Sequence, residues 1–200
     1  MFLPPVPDSF KWTTKAGIVA LYCQPLAVVA SHFFTTRQAQ LLTKNDWVQL
    51  AAAVGAQEVL QVRQVHGSNV LVVQPKRPLP SCDSEADVLL SGVPDVSVAV
   101  RSADCAPLLI ADAGSGAVAA VHAGWRGTAA GAATAAVESL QRNFSSNPSD
   151  LIVAIGPCIG SCCYEVGMDV VDAFQAQQHL HPNVDQWFRE TRSLNTSKKL

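Results

Sequence analysis

The sequence predicts an α+β layered domain, strand-rich through most of its length with helices gathered toward its end. Three observations predict it. Short β-rich runs follow one another from residue 58 to residue 123, punctuated by Gly, Pro and Asp. Those runs are apolar on both sides of the alternation, the pattern of strands covered on both faces. Alanine-rich and amphipathic stretches come after them instead of alternating with them.

Taken in order, GIVALY (Gly17 to Tyr22) reads as a strand. Trp47, Leu50, Ala51 and Val54 recur at helical spacing after Asn45 or Asp46, and Gly55 stops that helix. EVLQVRQV, NVLVVQ, DVLL, VSVAV, PLLIA and GAVAAV are the successive strands. Gly127 and Thr128 open an alanine-rich helix with Ala133, Val137 and Leu140 as its core stripe, and the turn-forming cluster Asn143 to Ser149 ends it. LIVAI is one more buried strand and VGMDVVDAFQAQ a second helix. The closing RETRSLNTSKKL is polar and without period. No repeat or linker divides the chain, so residues 1–200 read as a single domain.

Composition excludes several classes. At 48% hydrophobic and 15% charged residues, the chain has ample core and too little charge for intrinsic disorder. Fourteen basic against sixteen acidic residues leave a net charge of −2, so no basic field exists to hold nucleic acid or an anionic membrane. No apolar run reaches the ~18 residues of a spanning helix. The opening MFLPPVPDSFKW lacks the basic and apolar regions of a secretory signal, and the expected compartment is the cytoplasm. There the six cysteines are thiols, metal ligands or a nucleophile rather than disulfides.

Three segments place reactive side chains where a buried strand meets a loop: QVHGSN (Gln64 to Asn69), SADCAP (Ser102 to Pro107) and VHAGWRGT (Val121 to Thr128). His66, Cys105 and His122 are the candidate ligands. Two imidazoles and a thiolate form a borderline-soft set suited to zinc, with a fourth position left for water or substrate. Their separations of 39 and 17 residues match no compact zinc motif, so a buried thiol and two ordinary histidines are the competing reading. Asp104 is a candidate proton carrier or a turn residue bonding nearby amides. Arg126, at the start of the alanine-rich helix, suggests an anion site, with a stacked surface arginine as its alternative. Cys158 with the vicinal Cys162 and Cys163 could suggest another metal site, but adjacent cysteines seldom ligate one ion in good geometry, and ordinary packing thiols are the favoured reading. His179 and His181 read as an exposed pair.

VRSADCAPLLI, VHAGWRGT and AIGPCIGSCCYEVG, joined by QVHGSNV, SEADVLLS and a looser SHFFTTR, resemble the YfiH-type family, also called the laccase-domain or multicopper polyphenol oxidase family. The motif-matched core runs from about residue 32 to 167. The resemblance implies central β-sandwich-like sheets flanked by helices, and a purine nucleoside phosphorylase acting on adenosine, inosine and methylthioadenosine, with adenosine deaminase activity. It also implies zinc on His66, Cys105 and His122, the same residues picked out above. Purine nucleoside and phosphate would be the partners, with Arg37 and Arg126 holding phosphate. Two departures stand out. Arg37 is followed by Gln38, Ala39 and Gln40 where the family has a Gly-Gly-Val-Ser-like turn, and nothing in RETRSLNTSKKL resembles the family's C-terminal elements.

Two other functions remain open at this point. One is a Cys–His amidase with Cys105 as nucleophile and His122 as base, acting on peptidoglycan-precursor-like amides. The other is a non-catalytic metal-binding remnant. Copper oxidation, which the family name suggests, conflicts with a total of five histidines and one His-x-His pair.

Overall fold

A computed structural model describes residues 3–190 and the backbone of 198–199. The chain opens with an antiparallel hairpin, β1 (Phe10–Lys15) and β2 (Ile18–Cys23), turned by Ala16 and Gly17 at φ 48° and 75°. The sequence reading missed β1, because alanine rarely takes the first left-handed position of such a turn. A single helical turn, α1 (Gln24–Ala27), leads to the two-residue β3 (Phe34–Thr35), which pairs with β2. The helix expected after Asn45 is α2 (Lys44–Val54) and begins slightly earlier. Thr43 caps it reciprocally: its hydroxyl accepts from the Asp46 amide while the Asp46 carboxylate accepts from the Thr43 amide at 2.7 Å. Gly55, at φ 77°, ends it as expected.

The strand run then yields β4 (Glu58–Leu60), β5 (Val70–Val73), β6 (Val88–Ser91), β7 (Val96–Val98), β8 (Ala106–Asp112) and β9 (Val118–Ala123). EVLQVRQV is shorter as a strand than its composition suggests. Beyond Leu60 the chain leaves β4, and Arg63 makes only an isolated bridge to Glu85. The alanine-rich helix is two helices. The first, α3 (Trp125–Ala129), starts after Gly124, before the expected Gly127. The second, α4 (Ala132–Phe144), follows a break at Gly131, whose φ of 78° is left-handed. The edge strand β10 (Leu151–Ile155), the short β11 (Glu165–Val166) and α5 (Met168–Gln175) follow. The polar tail, read as featureless, contributes β12 (Arg189–Glu190) and β13 (Lys198–Lys199), which join β11 in the order β11-β13-β12. The reading of residues 191–197 lies outside the described residues.

The centre is a five-stranded mixed sheet in the order β10-β8-β9-β6-β5. Period-two alternation gives its strands two apolar faces. On one face Val88, Leu90, Ile110, Ala119 and Val121 meet Ala132, Ala136 and Leu140 of α4. Leu140 is fully buried there, and truncating such a residue to alanine costs about 2–5 kcal/mol. On the other face Ala111 and Ala154 meet Leu21, Cys23 and Phe34 of the β1-β2-β3 sheet, while Leu89 meets Leu60 beside the parallel pair β4-β7. Sheets thus pack on sheets with helices outside, the expected α+β arrangement. Among the described residues no helix is long and apolar enough to cross a membrane.

Candidate metal centre

Strand register brings the first two ligand candidates together. β8 and β9 pair antiparallel with Pro107 opposite His122 and Ala106 opposite Ala123. Alternation turns Val121 toward α4, so His122 points from the opposite face, the side to which Cys105 also belongs. His66 arrives from the loop between β4 and β5, in a left-handed conformation with φ 60°. One ligand atom from each of His66, Cys105 and His122 falls within 4.8 Å of the others. The two imidazoles stand edge to face, with centroids 4.8 Å apart.

Small residues keep the space open. A Cβ on Gly124 would sit 3.0 Å from the Cys105 sulfur and 3.2 Å from His66 Cδ2. A Cβ on Gly127 would sit 2.7 Å from the carbonyl oxygen of Gly67, so α3 packs backbone to backbone against the His66 loop. Gln64 ties that loop to the segment before Cys105. Its amide donates to the Arg101 carbonyl at 2.7 Å and accepts from the Arg101 amide at 2.6 Å.

The residue that sequence reasoning missed is Asp87, fully buried immediately before β6. Its Oδ1 accepts from His122 Nδ1 at 2.7 Å and from the His66 amide at 3.0 Å. Its Oδ2 accepts from the amides of Gly67 at 2.7 Å and Val65 at 3.1 Å. Burial works against its charge most strongly, yet the hydrogen bonds from His122, Gly67, Val65 and His66 together hold its carboxyl below the ordinary value. Its sequence signals were an acidic residue directly before an apolar run and its place in SEADVLLS. The Cys105 thiol is pushed up, first by burial and then by the negative charges of Asp104 and Asp87. Such surroundings favour a cation beside the sulfur and disfavour a bare thiolate.

The donor set passes the test of fit for zinc. His122 has its Nδ1 committed to a carboxylate, leaving Nε2 for a metal, the usual arrangement around ligating histidines. Bonds of about 2.0–2.3 Å from zinc to nitrogen and sulfur span a space of this size. Among the described residues no other group of three or more His, Cys, Asp or Glu has ligand atoms close enough to share an ion.

Beside Cys105 opens a pocket of about 290 Å³. Trp125, Tyr164, Phe174 and Trp187 supply aromatic walls, and Asp104 and Thr128 polar ones. Tyr164 has its phenol pushed up by burial and then by the Cys105 charge, with Arg126 pulling the other way. Arg126 lies in the first turn of α3 with its guanidinium 4.1 Å from the Trp125 ring centroid. Asp104 is tied to the far wall through its carbonyl, which accepts from the Ile159 amide at 2.9 Å. Arg37 is exposed on the turn after β3 and lines neither this pocket nor a larger one of about 510 Å³ lined by α1, α2 and the β6–β7 turn. That larger cavity holds none of the three ligand candidates. Cys158 lines the smaller pocket, and the exposed Cys162 and Cys163 sulfurs lie 3.2 Å apart. Of the histidine pair expected at the surface, only His179 is exposed. His181 packs its ring against Phe174 and Trp187, at 5.4 Å and 5.3 Å between centroids.

Known proteins share this architecture. Purine nucleoside phosphorylase YfiH of Escherichia coli (strain K12) is 38% identical over 115 residues, 58% of this chain and 44% of that protein. A purine nucleoside phosphorylase of Synechocystis is 34% identical over 197 residues, 94% of this chain and 73% of that protein. Purine nucleoside phosphorylase LACC1 of Mus musculus is 27% identical over 193 residues, 94% of this chain and 43% of that protein. The chain thus spans less than half the length of the Escherichia coli and mouse relatives. The crystal structure of YlmD from Geobacillus stearothermophilus superposes with a TM-score of 0.70 at 29% identity, covering 96% of this chain and 79% of that one. A Bacillus licheniformis hypothetical protein, YfiH, shares the fold with a TM-score of 0.79 at 24% identity, covering 97% of this chain and 80% of that one. The family model for multi-copper polyphenol oxidoreductase laccase matches residues 32–198, beyond the Gly167 at which the motifs stop. With most of its length matched and its fold superposed, the chain belongs to the multi-copper polyphenol oxidoreductase laccase family.

Proposed function

We propose that this chain carries the catalytic site of a zinc-dependent purine nucleoside phosphorylase. The observation that carries the reading is the convergence of His66, Cys105 and His122 within 4.8 Å at the edge of an aromatic-walled pocket. Relatives that bear the name of this activity support it. Zinc fits the borderline-soft donor set, and the relatives' activity calls for no electron transfer. A multicopper cluster would need several sets of imidazoles, whereas the chain has five histidines in all.

In this reading the purine ring lies among Trp125, Tyr164, Phe174 and Trp187, where flat aromatic surfaces exclude water and fix the ring plane. Phosphate, held by Arg126, forms a bond from one oxygen to C1′ of the ribose as the bond from C1′ to the purine nitrogen breaks; Arg37, expected from sequence to share this role, lies away from the pocket and takes no part. The departing base leaves with the bonding electron pair and takes up a proton. Asp104, at the pocket wall, holds or moves that proton. Zinc, when bound, supplies Lewis-acid polarisation. Adenosine, inosine and methylthioadenosine are the expected substrates, and adenosine deamination is a second reaction of the same pocket.

The test combines metal analysis with a phosphate-dependent assay for released base on the three nucleosides. Cys105→Ala leaves two imidazoles and is expected to lose both zinc and turnover while the fold survives. Iodoacetamide should label Cys105 slowly in zinc-loaded protein and faster after chelation. Fast labelling of the zinc-loaded protein, or loss of activity in Cys105→Ala with metal retained, would transfer the assignment to a Cys–His amidase.

A further inference from the structure

We propose that Asp87 is the positioning residue of the metal centre: one buried carboxylate presets both histidines before any ion arrives. The inference rests on the metal reading above and concerns a residue that contacts neither metal nor substrate. Four donors converge on its two oxygens, at 2.7–3.1 Å, three of them consecutive amides of Val65, His66 and Gly67. Consecutive amides facing one point form an anion-binding nest. Here the anion is supplied by the chain itself.

The nest explains the conformation of His66. A non-glycine residue at φ 60° is held there only where its surroundings determine it. Asp87 provides that determination by accepting the amides on either side of His66 together with its own. The same carboxylate sets the other imidazole. Accepting from Nδ1 places the proton of neutral His122 on that nitrogen and leaves Nε2 as a lone-pair donor. Backbone bonds lock the group in turn, because the Asp87 carbonyl accepts from the His122 amide at 2.8 Å and its amide donates to the Asn69 carbonyl at 3.2 Å. One side chain therefore governs the tautomer of one ligand and the backbone placement of another, and its own strand neighbour fixes it.

Asp87→Asn tests this directly. The amide keeps the shape but turns an NH2 toward incoming donors, so part of the four-donor set is lost whichever way it is oriented. Zinc affinity, measured by competition with a chromophoric chelator on protein shown to be folded by circular dichroism, is expected to fall about 10- to 100-fold. The visible spectrum of the cobalt-substituted variant should shift as well, reporting altered ligand placement. A merely structural role would lower the unfolding midpoint of the metal-free protein and leave both readouts of the folded molecules unchanged, and that result would overturn the proposal. Should Asp87→Asn fail to fold, the wild type decides: nitrogen-15 NMR of the metal-free protein must find His122 protonated on Nδ1. A proton on Nε2 would refute the assignment. Wild-type protein that retains no zinc removes the metal reading itself, whereas equal zinc retention by wild type and variant removes only the role of Asp87.

Discussion

Gly124 is the residue on which the room inside the centre depends. Its φ of −70° is ordinary for any residue, so Gly124→Ala adds a methyl group without backbone strain. That methyl would lie 3.0 Å from the Cys105 sulfur and 3.2 Å from His66, tighter than a relaxed contact allows. The prediction is a loss of about tenfold in zinc affinity with little change in the unfolding midpoint of the metal-free protein, read by chelator competition and by calorimetry. Cys105, His66 and His122 were legible in the sequence because each sat in a short motif of reactive residues beside glycine or proline. Gly124 and Asp87 were not, since neither carries recognisable chemistry until the chain has folded around it.

Among the elements, α3 gives the sharpest test, because at Gly127 its backbone lies directly against the His66 loop. Gly127→Ala would press a methyl group to 2.7 Å from the Gly67 carbonyl, and α3 must shift away. A loss of about 1–3 kcal/mol in denaturant unfolding is expected, together with weaker zinc binding. A second element prediction concerns the pocket wall after α5. Trp187 is 39% exposed, stands edge to face against Phe174 at 5.8 Å and faces the proposed base site. Trp187→Ala should raise KM for nucleosides about tenfold, the scale of one lost base-stacking contact, while Trp187→Phe retains much of the affinity. Steady-state kinetics with varied nucleoside at saturating phosphate measures both. The elements themselves were unevenly readable. Strands buried on two faces announced themselves as apolar runs, and α2 through its period. The break between α3 and α4 was hidden because alanine continues on both sides of Gly131. The parallel pairings of β5 with β6 and β4 with β7 left no local trace, since partners distant in sequence choose one another by packing.

At the scale of the whole molecule, zinc binding and folding draw on the same free energy. Zinc at about 100 times its dissociation constant adds about 2.7 kcal/mol to the stability of the native state. For a domain of this length that raises the unfolding midpoint by about 5–10 °C, and chelation should reverse it in a thermal scan. Acid acts through a different group. Asp112, at the end of β8, is almost fully buried. Burial opposes its charge, but the Ser115 hydroxyl and the Gly114 amide outweigh it and bring the carboxyl to about 2 from an ordinary 3.8. A carboxyl lowered in the native state contributes stability that is fully present above pH 3.8 and fades as the pH falls through about 2. Asp112→Asn should therefore destabilise the protein at neutral pH, with the gap to wild type closing toward pH 2, as urea unfolding at a series of pH values would reveal. The α+β class was readable at this scale from composition and order alone. The third small sheet was not, because its strands are two residues long and its sequence is polar.

The pairing of Pro107 with His122 carries a consequence for how the molecule reaches its native form. Side chains alternate across a ladder, so sliding β9 past β8 by one residue would swing His122 to the side of α4 and away from Cys105. The mispaired chain would keep its apolar runs and many of its hydrogen bonds, yet would have no third ligand to offer. On the zinc reading proposed above, an ion that binds only the in-register form would draw slipped chains toward the correct alignment during refolding by mass action. On that reading the ion would proofread strand alignment before serving in any reaction.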